Sequence, residues 1–261
     1  MTPSIGMISN KINFDNIAIV LHQPRYSENI GSAARAMLNM GINQLVVVDP
    51  QNYDMNKALK LATHIASDIV ENSKICANLK DALAPYSYVV GTTARLGKQR
   101  QIINTPLKLA KKIGSMSIEN RIAILFGPED RGLSNEDIRY CHTLVNIPTA
   151  EFSSLNLAQA VMIMCYEIFT AGLEKNNKSI PRLASRHELD GMYDQLKDIL
   201  VRISYINPEN SDYWMNKIRQ FFNRLQLRAK EVSIIRGIYR QVDWYGKKCY
   251  EDGKKKVEKN G

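Results

Sequence analysis

The sequence predicts an α/β fold on a parallel sheet, followed by a small all-α domain. Three observations predict it. From Asn16 to about Glu167, short near-continuous apolar runs alternate with helical patterns, as expected of strands buried on both faces. Several runs open directly into loops rich in Gly, Pro or Ser. After Leu173 the strand signal stops, and only helical periodicity follows.

Ile17–Leu21 is the first strand by length and composition. Glu28–Met40 reads as a helix, with Ala33, Ala34, Met37 and Leu38 at helical spacing and Gly41 placed to stop it. Leu45–Val48 is the second strand, ended by Asp49-Pro50, and Asn56–Ser67 the second helix. Tyr88–Val90 is a strand opening into Gly91-Thr92-Thr93-Ala94-Arg95. Pro106–Lys112 is a helix with Thr105 as N-cap and Pro at its first position. Ile122–Phe126 and Leu144–Ile147 are strands, and Leu155–Thr170 is a long apolar helix. The polar stretch Glu174–Ser179 carries no periodic signal and is expected to be linker. Ser185 and Glu188 form a capping box for a helix striped with Leu189, Met192, Leu196, Ile199, Leu200 and Ile203. Asn207-Pro208 breaks it, and helices over about Asp212–Leu225 and Lys230–Tyr245 complete a three-helix unit. Tyr213, Trp214, Phe221 and Phe222 are expected in that unit's core. The division is thus 1–173, a 174–184 linker, and 185–261.

The composition is that of a globular protein: of 261 residues, 44% are hydrophobic and 23% charged. No apolar run approaches the roughly 20 residues that span a bilayer. Residues 1–16 contain no apolar segment of the secretory kind, and the cytoplasm is the expected location. Cys76, Cys141, Cys165 and Cys249 lie far apart and form no C-x-x-C pair. Nor do His64, His142 and His187 combine with them at ligand spacing, so no metal site is expected. The net charge of +9 is uneven: residues 1–179 hold 18 basic and 15 acidic residues, whereas 180–261 hold 17 and 11. A basic module after a nearly neutral one points to a polyanion, nucleic acid first.

Parallel sheets place ligands beyond the carboxyl ends of their strands. Three segments stand out there. Asn29-Ile30-Gly31-Ser32-Ala33-Ala34-Arg35 is a helix start small enough to approach another backbone or a ligand, with an arginine among alanines. Phe126–Ser134 is a glycine- and proline-shaped loop in which Glu129 could accept from amides or hold an arginine, and Ser134 caps a short helix. Ile147-Pro148 and then Phe152–Ala160 place Ser153, Ser154 and Asn156 at a helix start, where free amides bind polar atoms. His22 follows the first strand and reads as a packed loop residue. G-x-G-x-x-G is absent, which counts against a dinucleotide enzyme.

Taken together, N-x-G-x-x-A-R (Asn29, Gly31, Ala34, Arg35), T-x-A-R (Thr92, Ala94, Arg95), F-G-P-E-x-x-G-L (Phe126 to Leu133) and S-L-N-L-A (Ser154 to Ala158) resemble the motifs of the SPOUT RNA methyltransferases. The likeness covers about Asn16–Phe169 and lies nearest the tRNA 2′-O-methyltransferases of the TrmJ type. The tail, with Glu231, Arg236, Gly237 and Arg240, looks like theirs as well. The resemblance implies a trefoil knot in the C-terminal half of the sheet, S-adenosylmethionine bound within it, and a homodimer. It implies a cofactor pocket of Thr92, Thr93, Ala94, Gly127, Glu129, Ile147, Ser153, Ser154 and Leu155. It implies a catalytic set of Arg35 with Asn29, Ser154 and Asn156, in which Arg35 positions the ribose hydroxyl while Glu129 and Asn156 brace the loops. For RNA it implies Arg35, Arg95, Arg228, Arg236 and Arg240. The substrate implied is tRNA, at pyrimidine 32 of the anticodon loop; ribosomal RNA or another tRNA site is the alternative within the class. Outside it stand a catalytically silent RNA-binding protein and a Rossmann-like small-molecule enzyme.

Overall fold

The computed structural model of the chain describes residues 12–94, 103–173 and 180–259. It divides into two compact units, one ending at Arg182 and the other beginning at Leu183.

In the first unit, β1 (Ile17–His22), β2 (Gln44–Val48), β3 (Lys74–Cys76), β4 (Tyr88–Thr92), β5 (Ile103–Asn104), β6 (Ile122–Phe126) and β7 (Thr143–Val145) form one sheet in the order β3-β2-β1-β6-β4-β7-β5. Every pairing is parallel. Ile17 to Leu21 and Ile122 to Leu125 are fully buried, because both sheet faces are covered. On one face, Ala18, Val20, Val46, Val48, Ala123 and Leu125 pack with Leu79, Ala82 and Leu83 of the short helix α3 (Leu79–Leu83). The unit's long helices are α1 (Ser27–Asn39), α2 (Met55–Glu71), α4 (Pro106–Ser117) and α6 (Leu157–Leu173), with α6 packed on α1 and α4.

α1 ends as its sequence predicts. Gly41 adopts φ +74°, its amide donates to the Leu38 carbonyl, and the Ile42 amide donates to that of Met37. These two bonds satisfy carbonyls that a helix end leaves open, and Ile42 and Met37 are buried together. Gly31 has a different reason. A Cβ there would collide with the Ala58 carbonyl, so the small residues of α1 seat it against α2.

Five elements stand out against the sequence expectation. β3, β5 and α3 are too short, at three, two and five residues, to leave a periodic signal. β7 ends at Val145, so Ile147 lies beyond the strand. α6 starts at Leu157, two residues later than expected, because Asn156 is what caps it: its Oδ1 accepts from the amides of Ala158 at 2.9 Å and Gln159 at 3.4 Å. Ser153 and Ser154 therefore precede the helix rather than capping it. The short helix α5 (Asn135–Ile138) carries the expected Ser134 cap.

The second unit holds α7 (Arg186–Arg202), α8 (Ser211–Leu225) and α9 (Ala229–Lys259). α7 opens with the Ser185–Glu188 capping box. Leu183 and Ala184, expected in the linker, are buried here, with Leu183 bridged to Arg228. α9 runs well past Tyr245. Met215, Ile218 and Phe222 of α8 enter the core with Leu189, Met192 and Tyr193. Tyr213, Trp214 and Phe221 do not: they are 62%, 47% and 59% exposed. Their expected burial is corrected by helix geometry: Tyr213 lies opposite the face carrying Met215, Ile218 and Phe222, and Trp214 and Phe221 lie off that face to one side. Among the described residues no helix is long and apolar enough to cross a membrane.

Candidate functional site

The site is built where β4, β6 and β7 end side by side. Thr92 at the end of β4 donates its hydroxyl to the Leu125 carbonyl of β6 at 3.1 Å. The Thr93 amide donates to the Val145 carbonyl of β7 at 2.9 Å, and Asn146 Nδ2 donates back to the Thr93 carbonyl at 2.8 Å. These bonds tie the loop after β4 to both neighbouring strands.

The loop after β6 turns sharply. The Gly132 amide donates to the Pro128 carbonyl at 2.8 Å, and Gly132 adopts φ +62°, a conformation that favours glycine. Gly127 lies so close to the backbone of Gly132 and Leu133 that a Cβ would overlap them. Further along, Ser134 and Asp137 cap α5 reciprocally, and His22 Nε2 stands 3.3 Å from Asp137 Oδ1. Burial would raise the Asp137 carboxyl, but hydrogen bonds from His22 and Ser134 outweigh it and hold the group below its ordinary value.

These loops and the segment before α6 enclose a cavity of about 340 Å³. All nine residues expected around a cofactor line it: Thr92, Thr93, Ala94, Gly127, Glu129, Ile147, Ser153, Ser154 and Leu155. Phe126, Leu133 and Leu157 add apolar surface to the hydroxyls of the threonines and serines. Such a mixed lining suits a ligand with an apolar ring and polar edges.

The remaining motif residues form a strap beside the cavity. Asn29 Nδ2 donates to Glu129 Oε1 at 2.8 Å, and Asn156 Nδ2 donates to Asn29 Oδ1 at 3.0 Å. The Arg25 amide donates to Glu129 Oε2 at 2.9 Å, and the Arg25 guanidinium pairs with Asp130 at 2.9 Å. The first helix, the loop after β6 and the cap of α6 are thus joined through three side chains. Asn29 and Asn156, expected in the catalytic set, touch each other rather than the cavity. Both of their amide groups are used in holding loops. Arg25 and Asp130 escaped the sequence reading because nothing in their spacing marks them.

Arg35 is exposed on α1 and is not part of the cavity lining. Six residues on from Asn29, it is rotated about 120° around the helix. Arg228 and Arg240 are exposed, as an RNA contact requires. Arg236 is half-buried, with Nε donating to Gln195 Oε1 at 3.0 Å, so its first partner is its own unit. Arg95 lies outside the described residues.

Residues 16–166 match the SpoU rRNA Methylase family, and residues 187–256 match the C-terminal domain of the tRNA methyltransferase TrmJ. The chain belongs to the SpoU methylase family. With both matches in this order, it is a SPOUT methyltransferase of the TrmJ type. Relatives and solved structures agree. It is 36% identical over 240 residues, 87% of this chain and 91% of the relative, to the tRNA (cytidine/uridine-2′-O-)-methyltransferase TrmJ of Sodalis glossinidius (strain morsitans). It is 33% identical, over 86% of this chain and 92% of the relative, to the tRNA (cytidine/uridine/adenosine-2′-O-)-methyltransferase TrmJ of Pseudomonas aeruginosa (strain UCBPP-PA14). The crystal structure of TrmJ from Z. mobilis ZM4 superposes with a TM-score of 0.75 at 30% identity, over 87% of this chain and 98% of that one. For this SpoU family member, the cavity lies where the three motif loops converge.

Proposed function

We propose that the chain transfers a methyl group from S-adenosylmethionine to the ribose 2′-hydroxyl of a pyrimidine in the tRNA anticodon loop, at position 32. The observation that carries this reading is the convergence of all nine expected cofactor residues on one cavity, beside a strap that joins three motifs. The tRNA named for the curated relatives supplies the substrate class.

The cavity fits the cofactor in size and in chemistry. Its apolar wall of Phe126, Leu133, Ile147, Leu155 and Leu157 suits an adenine ring, and the hydroxyls of Thr92, Thr93, Ser153 and Ser154 suit ribose and amino-acid groups. When bound, S-adenosylmethionine supplies a methyl carbon already activated by a positive sulfur, so the reading calls for no metal. The chain has to place the ribose oxygen and stabilise it as its proton leaves. Arg35 suits the second task. A guanidinium offers donors and no acceptor, so Arg35 acts by donating to the developing alkoxide rather than as a base. Glu129, Asn29 and Asn156 fix the loops that form the walls, with Glu129 presenting an already hydrogen-bonded carboxylate to the cavity.

Because Arg35 is exposed and off the cavity wall of its own chain, the reading includes a homodimer in which Arg35 of the partner subunit completes each site. A trefoil knot belongs to the same reading. The sheet order, in which β7 lies between β4 and the edge strand β5, which precedes it in the chain, accords with it. The residues from 185 onward serve as the tRNA-binding part, and the cytoplasm is the place of action.

The decisive experiment is methyl transfer from labelled S-adenosylmethionine to tRNA transcripts, with the 2′-O-methyl group mapped by nucleotide. Label at position 32 is expected. Label confined to ribosomal RNA would replace the substrate, and no label on any RNA would overturn the activity.

A further inference from the structure

α8 carries three of its four aromatic residues away from its core face. One face, Ser211, Met215, Ile218 and Phe222, packs into the C-terminal unit. On the opposite face Tyr213, Lys217, Phe221 and Arg224 follow one another at spacings of four, four and three, a single stripe about 16 Å long. Trp214 flanks it. All five are exposed. Tyr213 and Trp214 meet edge to face with centroids 5.8 Å apart, so their orientations support each other. The Lys217 ammonium stands 5.8 Å from the Tyr213 ring centroid.

Three large aromatics on one exposed helix face are unusual for a small unit and mark a surface with a partner. The interleaved cations say which kind. A protein-binding patch of this size would be expected to shed its charges at the centre. Here Lys217 and Arg224 alternate with the rings, in a unit whose residues 183–261 hold 16 basic and 11 acidic side chains. Rings that accept any base, set between cations that accept phosphates, are the elements of a single-strand stacking platform. We propose that this face of α8 binds unpaired RNA, with bases stacked on Tyr213, Trp214 and Phe221 and phosphates on Lys217 and Arg224. The inference rests on the tRNA reading above for the identity of the RNA, though not for the chemistry of the surface.

Two measurements test it. The chain has two tryptophans, so Trp244→Phe leaves Trp214 as the sole reporter. Titrating that variant with a uridine decamer should quench Trp214 emission; no quenching at low salt would overturn the proposal. In the second, the full chain carrying Tyr213→Leu, Trp214→Leu and Phe221→Leu is compared with wild type for tRNA binding. Leucine keeps the apolar surface but removes the stacking face. A loss of at least about tenfold is expected, with the salt slope unchanged because no charge is removed. Lys217→Ala with Arg224→Ala should instead lower the slope. Unchanged tRNA affinity in the leucine variant, with wild type binding normally, would overturn the proposal. So would a changed oligomeric mass with unchanged affinity, which would make the face a protein interface. If wild type methylates no tRNA, the functional reading fails, while decamer quenching still decides the role of α8.

Discussion

Around the cavity of the first unit, polar side chains point at one another. On α8 of the second, rings and cations point away from their own core. Glu129 has a protein donor on each oxygen, and Asn29 uses both ends of its amide. Tyr213, Trp214 and Phe221 are left exposed, with Lys217 between them and Arg224 beyond Phe221. On the proposed reading, the contrast follows from what each region does. A cavity that aligns reacting atoms must be rigid before its ligand arrives. A surface that grips a polymer draws its strength from groups whose partners are supplied by the polymer.

The comparison can be broken most severely at Arg35, a motif residue exposed like Arg228 and Arg240. Arg35→Ala should lower single-turnover methyl transfer by about 100-fold or more, with cofactor affinity unchanged by calorimetry. Near-normal turnover would remove it from the reaction. Mixing it with a cofactor-deficient Gly127 variant should restore part of the activity if the arginine acts across the dimer.

Ending the chain at Arg182 comes next. The cut belongs there because Asn120 Nδ2 donates to the Ile180 carbonyl at 3.0 Å, which anchors residue 180 in the first unit. This protein should still bind S-adenosylmethionine, and tRNA at least about tenfold more weakly with a shallower salt slope. Equal affinity by filter binding across a salt series would show that grip resides in the first unit.

Gly127→Ala sharpens the comparison from the cavity side. The added Cβ overlaps the backbone of Gly132 and Leu133, so the loop has to move, and cofactor affinity should fall about tenfold while tRNA binding holds. Smaller still is Asn29→Ala, which leaves the partly buried Glu129 oxygen without its donor. A loss of about 1–2 kcal/mol in stability, with KM for the cofactor raised more than kcat is lowered, is expected from denaturant melts and kinetics.

The smallest effect concerns Asp137, whose depressed carboxyl stabilises the fold above the ordinary carboxylate value and loses that contribution as the pH falls through the folded one. Asp137→Asn should lower Tm by about 2–4 °C at neutral pH. The difference from wild type should narrow as the pH drops below about 4. A constant difference across that range would mean that charge has no part in it.

Much of the sheet was legible because Ile17–Leu21, Leu45–Val48 and Ile122–Phe126 are continuous apolar runs, and burial on both faces requires that. β3 and β5 were not, since a strand of two or three residues at a sheet edge is defined by its neighbours and not by its own composition. The cavity residues were legible through motif likeness. Their hydrogen bonds were not, because partners 100 or more residues apart leave no local trace. Ser153 and Ser154 looked like caps by type, yet Asn156 took the position by making the bonds. Of the α8 aromatics Phe222 enters the core as expected, whereas Tyr213, Trp214 and Phe221 do not, because a stripe of rings has the same spacing whether it faces core or solvent.

The strap also sets a clock on synthesis. Asn29 cannot find its second partner until Asn156, 127 residues later, has been made. At ordinary elongation rates that interval is on the order of ten seconds. α1 waits throughout it with an unfinished join, and the loop after β6 joins the wait once Glu129, 100 residues after Asn29, has been made. A nascent chain on the ribosome is therefore expected to acquire its sheet strand by strand but its working cavity all at once, when the start of α6 emerges.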